Sequence, residues 1–233
     1  LKVIGTLSER SDHIDKKECD KRGIQVISMT SFGTEIAADL TVAVIIEAIM
    51  KGVQVEKDKE KNSNKNEIIS ILLAEKTVGF IGLGDTALEI GKRLRAKGLS
   101  KITYNDFEVK LEESEIGAVY ETFDKVLEES DIICICCKGT NKNRELFNKD
   151  TFHKMKNSAI LIDAARGHVI NYSDLYEALR EQQISLAAVD VREQGCIPYR
   201  EQLMGLNNSV FVPYQESNRW DKRSKATASV AND

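Results

Sequence analysis

The sequence predicts an α/β fold of the doubly wound kind, a parallel sheet with helices on both faces. Three observations predict it. Short apolar runs alternate with helical stretches from Thr77 to Val212. Several of those runs are apolar without a period of two, as strands buried on both faces are. The first run also leads straight into a glycine turn, Gly82-Leu83-Gly84-Asp85-Thr86-Ala87, that opens a helix.

Taken in order, residues 2–7 read as a strand and 15–22 as a polar helix, with Gly23 its left-handed C-terminal residue. Residues 24–28 form the next strand. The helix expected over 34–51 is apolar nearly all round, carrying Ile36, Leu40, Ile45 and Ile49. Such a helix is buried on most sides, as a domain's central helix or as a subunit interface. The stretch 56–67, EKDKEKNSNKNE, mixes both charge signs without an apolar anchor and reads as a solvated loop or a frayed helix end. Strands then follow over 77–81, 101–104, 132–137, 159–163, 186–189 and 210–212, with helices over 86–97, 122–129 and 173–182 and a helical turn over 149–155.

The chain has 233 residues, room for one large domain or one domain and part of another. A net charge of −4 and the lack of a basic stripe argue against a nucleic-acid or membrane-surface role. No apolar run reaches membrane-spanning length, and the opening Leu1-Lys2-Val3-Ile4-Gly5 reads as strand and not as a leader peptide. Of five cysteines, Cys134, Cys136 and Cys137 share one apolar run. They read as reduced core residues, with no metal site, which points to a reducing, cytoplasmic setting. Only Pro198 and Pro213 are present, so a long proline-rich linker is excluded.

The glycine turn carries the chemistry. Gly82 allows the tight bend, and Gly84 lets a pyrophosphate approach the backbone. Ala87 stands in for the third glycine where helix meets strand, and the helix start at Asp85 and Thr86 offers free N–H groups and a positive dipole end. The motif follows a strand and opens a helix within a βαβ unit, the context that gives it meaning. About twenty residues on, Asp106 is a candidate for the ribose hydroxyls, with Asn105 the alternative and an Asn-Asp turn equally weighted, so NAD against NADP stays open. Asp85 sets a carboxylate where a diphosphate would lie. This stabilises the helix start but weakens the expected dinucleotide affinity.

Beyond these features, the chain resembles the D-isomer-specific 2-hydroxyacid dehydrogenases, and most of all glyoxylate/hydroxypyruvate reductases. The resemblance rests on LKVIGTLSERSDHID, TVGFIGLG, LFNKDTFHKMKNSAILIDAARGHVINYSDLYEALREQQI, and AAVDV followed by VFVP. It implies a Rossmann domain over 34–213, a partial substrate domain over 1–33, and the start of a return to that domain over 214–233. A large N-terminal piece and the C-terminal tail of the family pattern would then lie outside this chain. It further implies hydride transfer between NAD or NADP and a 2-keto acid, and a homodimer.

Residue by residue, Arg166 matches the family's substrate-binding cation and Asp190 the acid at the nicotinamide amide. The family's Glu falls on Gly195, with Glu193 two residues earlier, and its His falls on Tyr214. The substrate-binding S-V-G turn reads Ser8-Glu9-Arg10, where Glu9 would face the substrate carboxylate and the Arg10 side chain would obstruct the backbone. The expected function is therefore a catalytically impaired dinucleotide-binding relative. Two alternatives stand beside it: an active reductase with a rewired acid (Tyr214 or His168), and a ligand-free module that pairs through the helix over 34–51. His13 and His153 read as structural.

Overall fold

The computed structural model describes residues 1–6, 14–28, 32–57, 73–165, 167–190 and 199–212. The chain divides into two compact units, Leu1–Ala37 with Tyr214–Asp233, and Ala38–Pro213.

In the first unit, strands β1 (Val3–Thr6) and β2 (Gln25–Ser28) pair in parallel, Val3 opposite Gln25. Helix α1 (Lys16–Lys21) connects them. Its start is capped by Asp15, which accepts the Glu18 N–H at 3.0 Å. Gly23 follows it with φ +64°, the left-handed turn expected of that residue.

Helix α2 (Phe32–Lys57) is longer than expected and runs into the charged stretch. Its composition is apolar nearly all round, but its burial is one-sided. Ala38, Thr41, Val42, Ile45, Ala48 and Ile49 are buried at helical spacing. Asp39, Ala43, Glu47 and Met50 on the opposite face reach solvent, which corrects the expectation of burial on most sides.

The second unit is built on a seven-stranded sheet in the order β5-β4-β3-β6-β7-β8-β9, every pair parallel. The strands are β3 (Thr77–Ile81), β4 (Lys101–Asn105), β5 (Ala118–Tyr120), β6 (Ile132–Ile135), β7 (Ile160–Asp163), β8 (Leu186–Asp190) and β9 (Ser209–Val212). Between them run α3 (Asp85–Ala96), α4 (Glu113–Ile116), α5 (Phe123–Glu129), α6 (Lys149–Lys154), α7 (Tyr172–Arg180) and α8 (Arg200–Met204). β3, β6 and β7 are buried at every residue, which is why they read as unbroken apolar runs. One face of the sheet meets a core that includes Phe147, Phe152, Leu175 and Leu179.

Sequence reading missed β5, α4 and α8. β5 has three residues, two of them, Val119 and Tyr120, 53% and 37% exposed at the sheet edge, so no apolar pattern marks it. It is placed from outside by Arg95 on α3, which donates to Ile116 O at 2.7 Å and Gly117 O at 2.8 Å. The strand expected over 132–137 stops at Ile135, so Cys136 and Cys137 lie past the strand's C-terminal end. None of the described helices is long and apolar enough to cross a membrane.

β3 and α5 pack at a point with no spare room. A Cβ on Gly79 would run into Ser130 Oγ and stand 2.6 Å from Val126 Cγ1. Gly79→Ala is therefore expected to destabilise the fold by about 1–3 kcal/mol, read from the denaturant midpoint. Adding Ser130→Ala should recover part of that loss.

Candidate functional site

The site lies where β3, β6 and β7 end, at the point where strand order reverses from β4 on one side of β3 to β6 on the other. The chain leaves β3 through Gly82, whose φ is +91° and whose N–H donates to Asn105 O at 2.8 Å. A Cβ at Gly82 would stand 2.7 Å from both Cα and N of Cys137. Positive φ and backbone contact each demand glycine here.

Gly84 differs. Its φ of −97° is open to any residue, and a Cβ there would meet nothing within 4 Å. What glycine leaves at this position is open space before the helix. No side chain caps α3, and its first closed bond is Leu88 N–H to Gly84 O at 3.0 Å. The amides of Asp85, Thr86 and Ala87 consequently have no acceptor among the described residues. Free amides and the positive dipole end suit an anionic oxygen. Ala87 is fully buried where the helix lies on the sheet, and Asp85 is exposed at its start.

The two acid-end candidates separate. The Asn105 side chain turns outward and donates to Glu121 O at 2.8 Å, which ties β4 to the segment after β5. The Asp106 carboxylate turns back to the glycine turn. Its Oδ2 accepts the Leu83 N–H at 2.9 Å and its Oδ1 the Phe107 N–H at 2.6 Å. Tyr104, unremarked in the sequence, anchors the loop beyond. Its buried hydroxyl donates to Glu113 Oε2 at 2.6 Å and accepts the Lys110 N–H at 2.9 Å. Burial, then the Glu113 carboxylate, pushes its pKa up to about 12. Its ring meets that of Tyr120 edge-on, with centroids 5.4 Å apart.

Beside the turn, Cys136 and Cys137 follow β6 as free thiols, Cys137 with its backbone against Gly82. Burial, then the Asp163 carboxylate, pushes Cys137 up to about 11, and burial raises Cys134 and Cys136 as well, so these groups stay protonated at neutral pH. The next loop is knotted by buried Asn143. It donates to Lys138 O at 2.9 Å and accepts from Thr140 N–H at 2.6 Å.

β7 ends at Asp163, which accepts the Ala165 N–H at 3.1 Å and the Tyr172 hydroxyl at 3.4 Å. Gly167, at φ +95°, passes Gly139 so closely that its Cβ would stand 3.3 Å from Gly139 Cα. Residues beyond it are stitched to the preceding loop, Glu145 N–H to His168 O at 2.8 Å and Phe147 N–H to Val169 O at 3.0 Å.

The structure thus brings together Gly82, Gly84, Asp85, Thr86, Ala87 and Asp106, and turns the side chain of Asn105 away. Asp190 ends β8 opposite Val212, with its backbone alone described. His168 is exposed, and His153 lies with Nδ1 2.7 Å from Lys149 O within α6. Arg166, Gly195, Tyr214, Ser8, Glu9, Arg10, Glu193 and His13 lie outside the described residues.

Two outcomes follow from this geometry. Gly82→Ala meets backbone and a positive φ together and should cost more than about 2 kcal/mol, whereas Gly84→Ala should stay within about 1 kcal/mol of wild type by urea denaturation. Tyr104 holds its proton more tightly folded than its unfolded value of about 10. Its contribution is whole below that pH and is lost as pH rises through about 12. A phenolate absorbance titration should find a late-ionising tyrosine that Tyr104→Phe removes.

Residues 42–215 match the family model described as D-isomer specific 2-hydroxyacid dehydrogenase, NAD binding domain. The chain is 32% identical to the glyoxylate reductase/hydroxypyruvate reductase of Mus musculus, over all of this chain and 72% of that one. It is 32% identical to the D-3-phosphoglycerate dehydrogenase of Archaeoglobus fulgidus over 92% of this chain, and there it spans only 41% of the relative's length. Among solved structures, the D-lactate dehydrogenase of Aquifex aeolicus, complexed with NAD and lactic acid, superposes with a TM-score of 0.77 at 26% identity, covering 100% of this chain and 75% of that one. With a parallel sheet, a helix start that no side chain caps and this match, the chain belongs to the D-isomer-specific 2-hydroxyacid dehydrogenase family and carries its NAD-binding domain.

Proposed function

We propose that this chain binds NAD in preference to NADP at the cleft beside Gly82, and that it reduces 2-keto acids poorly. The observation that carries the binding half is the open start of α3 facing the Asp106 carboxylate across the glycine turn. The amides of Asp85, Thr86 and Ala87 would hold the diphosphate, and Asp106 would accept from the ribose hydroxyls. A carboxylate at that place repels a 2′-phosphate. The cation nearest in sequence, Lys110, is already paired with Glu108 at 2.8 Å. Asp85 lowers the affinity without abolishing it, since its exposed charge is well screened.

Bound NAD would supply the hydride chemistry at the carbonyl carbon of a keto acid. The chain's own part is to hold the acid and move a proton. Arg166 suits the first task as a planar, bidentate donor to a carboxylate. The second task is compromised. Tyr214 stands where the family pattern has its acid, and a phenol with a pKa of about 10 gives up a proton reluctantly at neutral pH. Gly195 leaves no carboxylate to sustain a cationic partner. The names of the relatives point to glyoxylate or hydroxypyruvate as the acid. In this reading 34–213 is the nucleotide domain, 1–33 and 214–233 belong to the substrate domain, and the setting is cytoplasmic.

A second reading, of a homodimer, has its own support. Leu40, Ala43, Ile46 and Met50 share the face of α2 that is not fully buried in this chain. A sedimentation measurement giving a monomer would remove it.

Fluorescence titration with NADH and NADPH is the direct test. NADH should bind about tenfold more tightly, and Asp106→Asn should narrow the gap. Gly84→Ala should weaken NADH while leaving stability nearly intact. Turnover of glyoxylate should fall far below the ~10 s⁻¹ usual for enzymes. Absence of binding by either nucleotide at millimolar concentration rejects the first half of the proposal, and ordinary turnover rejects the second.

A further inference from the structure

We propose that Lys138 is a phosphate-binding residue of this cleft, its ammonium meeting the diphosphate held at the glycine turn. The proposal rests on the reading that the cleft takes a dinucleotide.

The position follows from two close backbone approaches. Cys137, one residue before, lies against Gly82, with its Cα and N 2.7 Å from where a Gly82 Cβ would be. Gly139, one residue after, lies against Gly167, with its Cα 3.3 Å from where that Cβ would be. Consecutive Cα atoms are about 3.8 Å apart, so Lys138 occupies the single step between the phosphate-facing turn and the loop beyond β7.

Its main chain is held firmly. The Lys138 carbonyl accepts from Asn143 Nδ2 at 2.9 Å, and Asn143 is 7% exposed and fastened in turn to Thr140. From that fixed root an exposed, flexible four-carbon stem can carry a charge across the mouth of the cleft.

The electrostatics call for a cation there. The turn is flanked by two carboxylates, Asp85 and Asp106, and the helix start supplies only about half a positive charge. A diphosphate entering this space is held less tightly because of these two charges, and a full positive charge beside it would offset them. Lys92, Lys101, Lys110, Lys125, Lys154 and Lys156 are each engaged with a carboxylate. Lys138 has no such partner among the described residues, so its ammonium need not be withdrawn from one ion pair to make another.

The test compares the full wild-type chain with Lys138→Gln, Lys138→Arg and, as a control of equal charge change in the same loop, Lys142→Gln. The probes are NADH and ADP, the second having the diphosphate without the nicotinamide. Lys138→Gln should weaken both by about tenfold, the scale of one charge-assisted hydrogen bond. Lys138→Arg should keep most of the affinity, Lys142→Gln should match wild type, and melting curves should coincide. Wild-type affinity should also fall with added KCl more steeply than that of Lys138→Gln. Equal affinities for wild type and Lys138→Gln overturn the proposal. A loss seen with NADH but not ADP also overturns it, by placing Lys138 at the nicotinamide end. If wild type binds neither probe, the dinucleotide reading itself fails, and this proposal with it.

Discussion

The contact on which the rest of the site depends is the one between Gly82 and the backbone of Cys137. Two parallel strands, β3 and β6, leave the sheet side by side, and their exits press together with no room for a methyl group. Because the chain turns so tightly after β3, α3 begins at once, with its amides bare at the mouth of the cleft. Because the exit of β6 is held against that turn, the loop from Lys138 to Asn143 is presented on the opposite side. The close approach of Gly139 to Gly167 repeats the device one strand further along. The cleft is therefore bounded by backbone, and side-chain chemistry is laid over a frame already set by glycine.

That frame has an unusual charge balance. Most of the polar groups at the turn are acceptors or acids: Asp85, Asp106 and, past β7, Asp163. The carboxylate of Asp106 is itself consumed in part by the Leu83 and Phe107 amides. It acts first as a brace that keeps the turn in shape, and only its remaining lone pairs face outward. The buried thiols add bulk without charge, since burial and Asp163 keep Cys137 protonated. The surface around the turn therefore offers backbone amides at the helix start beside two carboxylates.

How much of this was legible varied with the type of residue. The glycine turn, Ala87 and the fully buried strands were readable because each imposes a local requirement, whether φ, size or unbroken apolarity. β5 was not, because a three-residue edge strand with exposed Val119 and Tyr120 has no pattern to show. It exists because β4 offers it an open edge and Arg95 fixes the chain before it. The end of β6 was misjudged for a related reason. Cys136 and Cys137 are apolar enough to continue a strand, but the pairing on both sides ends at Ile135. Tyr104 passed as an ordinary strand residue until its hydroxyl was seen bracing Glu113 and Lys110.

By itself the sequence determined the fold class, the main strands in chain order, the place of the glycine turn and the family resemblance. These are properties of residue type and spacing along one chain. Only the tertiary structure separates the side chains of Asn105 and Asp106: both follow β4, but Asp106 meets the turn from β3 while Asn105 bonds to Glu121 O. It also decided that α2 is buried on one side, and that Lys138 stands between two glycine-lined approaches. The physical reason is the same in each case: direction and proximity arise where separate segments meet, and no local propensity encodes which neighbour a side chain will find.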